Sequence, residues 1–206
     1  MGMSATDRTV FVVDDDDAAL HSLIMLLESH GLSAEGFASA QAFLEAFDPT
    51  ARGCLITDLR LPGMGGVALI RALKAVGCIL PVIVVTGHAD VGQAVDAMKA
   101  GATDLVEKPY ESDLILRLVL AGLEANDLAV DANSARTRVL RRIESLTARE
   151  RQVLDLIMEG ASNKVIAQRL VISPRTVEIY RANVMSKMRA DSLSELIRMT
   201  LASGIA

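Results

Sequence analysis

No apolar run in the 206 residues approaches the roughly 18 that mark a membrane-spanning helix. The N-terminus lacks the basic, then apolar, then small-residue order of a secretory signal. The expectation is a cytoplasmic protein with no membrane partner. Cysteine is scarce: Cys54 and Cys78 are the only two, each in an apolar setting, with no CxxC or Cys/His spacing. That argues against a disulfide framework, a zinc site or a redox pair, and for two buried free thiols. There is no internal repeat and no low-complexity tract. What the chain does have is 51% hydrophobic residues, enough for real cores in one large domain or two small ones.

Charge is divided unevenly. From Arg141 onward there are 11 Lys and Arg against 7 Asp and Glu, a balance of +4; the preceding residues hold 10 against 19, or −9, which together give the net −5. An acidic part is joined to a basic one. A basic C-terminal third is permissive of nucleic acid, though this excess alone is weak evidence.

Over the first 125 residues, short apolar runs alternate with amphipathic stretches. "TVFVV" (Thr9–Val13), "GCLITD" (Gly53–Asp58) and "LPVIVVTG" (Leu80–Gly87) read as buried strands, "TDLVEKP" (Thr103–Pro109) as a shorter one and "SAEGF" (Ser33–Phe37) as an edge strand. Helical spacing appears at Leu20, Leu23, Ile24 and Leu27, ending near Gly31. It recurs at Val67, Ile70, Leu73 and Lys74, and again at Val91, Ala94, Val95 and Met98, ending at Gly101. The β-α rhythm predicts a doubly wound, flavodoxin-like α/β domain with a five-stranded parallel sheet.

Within it, "VFVVDDDDAAL" places four carboxylates, Asp14 to Asp17, directly behind a strand. Neighbouring like charges about 4 Å apart repel by roughly 4 kcal/mol at an effective dielectric of 20. Either the run is a solvated turn capping the next helix, or some of it holds a cation. In doubly wound sheets, chemistry lies beyond the C-terminal strand ends. Those ends deliver Asp14 and Asp15, Asp58, Thr86 and Lys108. Alone, Lys108 is an exposed lysine, Thr86 a turn residue and Asp58 an Asx cap. Together they are what Mg²⁺-assisted phosphoryl transfer to an aspartate requires. Asp14 and Asp15 suit the hard cation, Asp58 the nucleophile, and Lys108 and the Thr86 hydroxyl the phosphoryl oxygens. Asp16 and Asp17 fall where a helix N-terminus favours negative charge.

"VVDDDD", "LITDLRLPGMGG", "VVTGHAD" and "VEKPY", in that order and spacing, resemble a bacterial response-regulator receiver domain, and "TGHAD…AVDAMKAGATDLVEKPY" resembles the FixJ subclass. The likeness spans residues 8 to about 126. It implies Asp58 as phospho-acceptor, Mg²⁺ held by Asp14, Asp15 and Asp58 with the Arg60 backbone carbonyl, and a cis peptide bond at Lys108–Pro109. Receivers usually carry a switching aromatic three positions before the lysine. Leu105 stands there instead, and Tyr110 lies outside that position. Switching would then rely more on the backbone around Thr86 to Asp90.

Residues 127–142 lose apolar periodicity and turn polar, as a semi-ordered linker or a helix extending the preceding one; the linker is the reading preferred here. Residues 143–206 then read as a small all-α domain of four short helices. "LTARERQVLDLIMEG" opens with a capping box, Thr147 with Glu150, and stops at Gly160. Ser162 caps the next helix, Ser173 the third with Pro174 at its first position, and Ser192 with Glu195 repeats the box before Gly204.

On the third helix, Val177, Tyr180, Val184 and Met188 gather on one side, which must be packed. The other side presents Arg175, Glu178, Ile179, Ala182, Asn183 and Ser186, mostly short or polar, and would fit a major groove about 12 Å wide. Asn183 would pair with adenine, Glu178 accept from cytosine and Ile179 touch a thymine methyl, while Arg175, Arg181, Lys187 and Arg189 would reach phosphates. A four-helix cluster of this charge equally suits a protein partner. However, residues 146 to 200 resemble the LuxR-type helix-turn-helix of FixJ and NarL regulators, which implies DNA binding through Pro174 to Arg189.

Three functions compete. A phosphorylation-switched transcription factor, not an enzyme, would have a histidine kinase, double-stranded promoter DNA, a second copy of itself and RNA polymerase as partners. Dimerisation would use Val91, Val95, Met98 and Leu105. A haloacid-dehalogenase-like phosphatase is suggested by Asp14-x-Asp16 after a strand, but it leaves Asp58 unexplained and lacks a cap insertion. A receiver signalling by protein contact alone would show only sequence-blind, salt-labile DNA affinity.

Overall fold

The computed structural model describes residues 8–87 and 91–205. Five parallel strands, β1 (Thr9–Val13), β2 (Ser33–Phe37), β3 (Gly53–Thr57), β4 (Val82–Thr86) and β5 (Asp104–Glu107), form one sheet in the order β2-β1-β3-β4-β5. "SAEGF" is thus the edge strand expected. β3 and β4 are buried along their whole length, as continuous apolar runs in a sheet covered on both faces must be.

Side-chain alternation sends each strand's residues to two separate cores. Phe11, Val13, Leu55, Val82 and Val84 meet α2 (Ala40–Ala46), α3 (Gly66–Ala75) and α4 (Val91–Ala100) through Phe43, Leu69, Ile70, Leu73 and Ala97. Val10, Val12, Cys54, Ile56, Ile83 and Val85 meet α1 (Asp17–Ser29) and α5 (Ser112–Glu144) through Leu23, Leu27, Ile115 and Val119. All four phenylalanines, Phe11, Phe37, Phe43 and Phe47, pack on the first face with ring centroids 5.0–6.0 Å apart. Helix α2 answers to no periodicity noted in the sequence. Its seven residues are too few to show a stripe, and the Ser39 cap and Phe43 anchor it instead. α4 buries only Ala97, so little holds it down.

The chain divides into two compact units, Met1–Val130 and Asp131–Ala206, the division falling inside α5. The preferred linker is therefore corrected to a helix. Residues 113–144 contain no Gly apart from Gly122 and no Pro, so propensity sustains the helix where no apolar stripe is needed. Most of residues 128–138 are exposed, which is why periodicity fades there.

In the second unit, α6 (Ala148–Met158), α7 (Asn163–Leu170), α8 (Pro174–Met188) and α9 (Leu193–Ser203) surround one core containing Val153, Ile166, Val177, Val184, Met188 and Leu196. The capping box at Thr147 and Glu150 is reciprocal. Ser162 and Ser173 cap as expected, with Pro174 in the first turn. At α9 the box is only half made: Ser192 Oγ accepts from Glu195 N–H, but the Glu195 carboxylate accepts from Asp191 N–H. Val139 and Ile143, from the end of α5, pack into this core. Among the described residues, no helix is long and apolar enough to cross a membrane.

Candidate phosphoryl site and nucleic-acid interface

Strand register assembles the first site. Val13 pairs with Thr57, so the next residues, Asp14 and Asp58, emerge side by side; Asp58 N–H donates to the Val13 carbonyl at 3.0 Å. Thr86 pairs with Glu107, and Lys108 N–H donates to the Thr86 carbonyl at 2.8 Å. A one-residue slip would turn any of these side chains to the other face. Gly66 completes the cradle. A Cβ there would lie 2.2 Å from the Asp58 carbonyl oxygen, so only glycine lets α3 start this close.

The Lys108 ammonium joins the two carboxylates, at 2.6 Å from Asp14 Oδ2 and 3.1 Å from Asp58 Oδ2. Burial alone would lower the Lys108 pKa. Hydrogen bonds and charge from Asp14 and Asp58 outweigh it and raise the pKa above the ordinary lysine value. The outer oxygens are fixed by the backbone: Asp16 N–H donates to Asp14 Oδ1 at 3.0 Å, and Arg60 N–H to Asp58 Oδ1 at 2.9 Å. Thr86 is fully buried, and its hydroxyl has no hydrogen-bond partner among the described residues. An orphaned hydroxyl costs about 1–3 kcal/mol, which suits a group kept for an acceptor yet to arrive.

Asp15 is exposed. Among the described residues, no three His, Cys, Asp or Glu side chains lie close enough to hold a metal, and Lys108 sits between Asp14 and Asp58. Asp16 caps α1, accepting from Ala18 and Ala19 N–H, and Asp17 is its first residue. The four-aspartate run thus splits between a helix cap and the site. Lys108–Pro109 is cis. Leu105 is half-buried against the α2–α4 core, whereas Tyr110 packs on the α1–α5 side, so the two occupy opposite faces of the sheet. Of the expected dimer set, Val91, Val95 and Met98 are exposed by 81%, 43% and 48%, and Leu105 is half-buried on the same side of the sheet. In the switch segment expected from Thr86 to Asp90, His88, Ala89 and Asp90 lie outside the described residues.

Helix α8 divides as its spacing predicts. Val177, Val184 and Met188 are fully buried and Tyr180 is half-buried, while Arg175, Glu178, Ile179, Ala182, Asn183 and Ser186 are exposed. Arg181 is half-buried at the edge of that face. One expectation is corrected. Lys187 is not free for phosphate: its ammonium lies 2.6 Å from Glu150 Oε2, on a carboxylate just beneath the surface and 3% exposed, and it donates to the Ser145 carbonyl at 3.4 Å. Lys187 above all, then Thr147 N–H, holds Glu150 below the ordinary carboxylate pKa.

Residues that sequence reasoning missed lie on the tail of α5. Arg136 Nε donates to the Ser203 carbonyl at 3.1 Å and Arg142 to the Met188 carbonyl at 2.9 Å, so that two arginines cap the ends of α9 and α8.

A five-stranded parallel domain with this acidic strand-end cluster, followed by a helix-turn-helix unit, defines a two-module response regulator. The profile of the response regulator receiver domain matches residues 10–120, and that of the bacterial regulatory proteins of the luxR family matches residues 144–200. The chain belongs to the FixJ-type response regulators, DNA-binding regulators of transcription rather than enzymes. It is 51% identical over 197 residues to the transcriptional regulatory protein FixJ of Azorhizobium caulinodans, covering 96% of this chain and 93% of that one. It is 48% identical over 206 residues to FixJ of Rhizobium meliloti, covering 97% and 98%. Among solved structures, the response regulator StyR is similar with a TM-score of 0.85 and 39% identity, over 95% of this chain and 99% of that chain.

Proposed function

We propose that Asp58 accepts a phosphoryl group from a histidine kinase and that this switches binding of α8 to promoter DNA. The observation that carries this reading is Lys108 bridging Asp14 and Asp58 beside the buried, unpartnered Thr86 hydroxyl. An ionised carboxylate attacks phosphorus without a base. Lys108 already lies against the nucleophile and would follow the incoming oxygens; Thr86 would donate to one of them.

The donor chemistry fits Mg²⁺: Asp14, Asp15 and Asp58 with the Arg60 carbonyl are hard oxygen ligands, and the place now held by an ammonium between two carboxylates suits a cation. When bound, the ion neutralises charge developing on the phosphoryl oxygens. Receiver and helix-turn-helix modules work where kinase and DNA meet, in the cytoplasm. The receiver spans 8–126 and the DNA-binding unit begins within α5.

Dimerisation follows from α4. Val91, Val95 and Met98 form an exposed apolar strip on a helix with one buried residue, next to edge strand β5. Drawing Thr86 toward phosphate shifts the start of α4, and the strip pairs with its copy about a two-fold axis, bringing two α8 helices to two half-sites. RNA polymerase is then a downstream partner. On α8, Arg175, Glu178, Ile179, Ala182, Asn183 and Ser186 face the groove, with Arg181 beside it.

The test is labelling by acetyl phosphate with sedimentation and selection of duplexes from a random pool. The native chain should label, dimerise and select an imperfect palindrome; Asp58→Asn should do none of these. Full acid-stable, base-labile labelling of Asp58→Asn, or a dimer complete without phosphodonor, would refute the reading.

A further inference from the structure

The tail of α5 carries four arginines, Arg136, Arg138, Arg141 and Arg142, of which two are spent on the helix ends already described. The side chains of Arg138 and Arg141, with that of Arg189 at the end of α8, have no hydrogen bond or ion pair among the described residues. Together with Arg142, Ser145 and Lys187 they line one groove of the second unit. Lys187 is neutralised by Glu150 and Arg142 is held at the α8 carboxyl end, so the groove presents three uncommitted guanidinium groups.

Complementing helix dipoles accounts for only part of this cluster. Arg141 and Arg142 lie in the last turn of α5, but Arg138 stands a turn earlier, where the dipole has faded. Like charges at i, i+3 and i, i+4 destabilise a helix, and here Arg138 faces both Arg141 and Arg142. Such a set calls for an anion, and the planar guanidinium fork matches phosphate oxygens. Position selects which phosphate. The groove opens on the flank of α8 that bears Lys187, next around the helix from exposed Asn183. A helix lying in a major groove has a phosphate strand along each flank.

We propose that Arg138, Arg141 and Arg189 grip the phosphate backbone on one side of the duplex that α8 enters. The DNA-binding surface then extends onto the tail of α5, ahead of residue 144, where the luxR family match begins. This inference rests on α8 being the groove helix. The contacts are sequence-blind and strengthen binding to operator and to unrelated DNA alike.

The test uses the full chain treated with beryllofluoride, titrated against the selected operator and a scrambled duplex over a series of KCl concentrations. Arg138→Gln/Arg141→Gln should weaken both complexes by the same factor and flatten the plot of log K against log salt by roughly 1.8, about 0.9 for each phosphate no longer neutralised. Asn183→Ala should instead reduce operator preference and leave that slope intact. An unchanged slope in the arginine variant, with Asn183→Ala still acting on the operator, overturns the inference while α8 keeps its role. If Asn183→Ala and Arg175→Gln alter neither preference nor slope, both readings fall. Tripolyphosphate binding that needs these arginines, with the DNA slope unmoved, would assign the groove to a small polyphosphate and also overturn the proposal. If the double variant melts early, Arg138→Gln alone, away from both helix ends, should flatten the slope by half as much, and no flattening there overturns the inference equally.

Discussion

Lys187→Met isolates the ion pair beneath α8. Methionine keeps much of the lysine stem's packing and removes the ammonium, leaving Glu150 with Thr147 N–H at 2.8 Å as its remaining donor. A hydrogen bond to a charged group contributes about 1.5–3 kcal/mol, and breaking a fully buried ion pair costs about 3–5 kcal/mol. The Lys187 side chain is 37% exposed, so the lower range applies. The helical unit should lose about 2 kcal/mol at pH 7, a fall of roughly 8–16 °C in its melting temperature. The pH dependence has a definite sign. Lys187, then Thr147 N–H, depresses the folded-state pKa of Glu150. The stabilisation is therefore complete above the unfolded carboxylate pKa of about 4.3 and disappears as pH falls through the lower folded value. Calorimetry of the full chain, following the transition of the helical unit, should show native and variant converging in acid. Glu150→Gln in the Lys187→Met background should recover part of the loss, since no buried charge is left alone. A loss under about 0.5 kcal/mol at pH 7, or an equal gap at pH 7 and pH 3, would refute the reasoning and return Lys187 to the DNA surface.

Val171 ends α7 with φ 55°, left-handed for a β-branched residue, and is 88% exposed; Val171→Asn should stabilise the helical unit by about 0.5–1 kcal/mol, read from its melting transition. Gly66→Ala forces a Cβ against the Asp58 carbonyl and should destabilise the receiver by about 2 kcal/mol in urea while slowing acetyl phosphate labelling; labelling at the native rate would show that α3 can retreat freely. Thr86→Val removes a buried hydroxyl without a partner. It should leave unphosphorylated stability unchanged or raised by about 1 kcal/mol, yet abolish dimerisation on phosphorylation, checked by sedimentation.

What was legible in the sequence was whatever local chemistry decides. The strands were visible as apolar runs, and because parallel register aligns their ends, Asp14, Asp58, Thr86 and Lys108 could be placed together from four separate segments. The caps at Ser162 and Ser173 were legible for the same reason, being bonds within three residues. What depends on a distant partner was not. Periodicity reports burial, so the exposed middle of α5 passed for a linker. Lys187 resembled any lysine on a DNA-facing helix until α6 brought Glu150 beneath it, 37 residues away in sequence. Glu195 had two backbone amides within reach, and pattern alone did not choose between Ser192 and Asp191.

The two faces of the sheet each hold one thiol. Cys54 is completely buried toward α1 and α5, where a Cβ on Gly122 would lie 3.0 Å from its sulfur; Cys78 lies 6% exposed toward α2–α4. Burial pushes the Cys54 thiol up to about 12 and raises that of Cys78 above its ordinary value, so neither reacts while the layers stay closed. Alkylation of the native chain therefore serves as two independent clocks. The rate at Cys54 times the lifting of α5 from the sheet, and the rate at Cys78 times the loosening of the opposite layer. Phosphorylation that works through α4 should speed the second clock and leave the first running at its old pace.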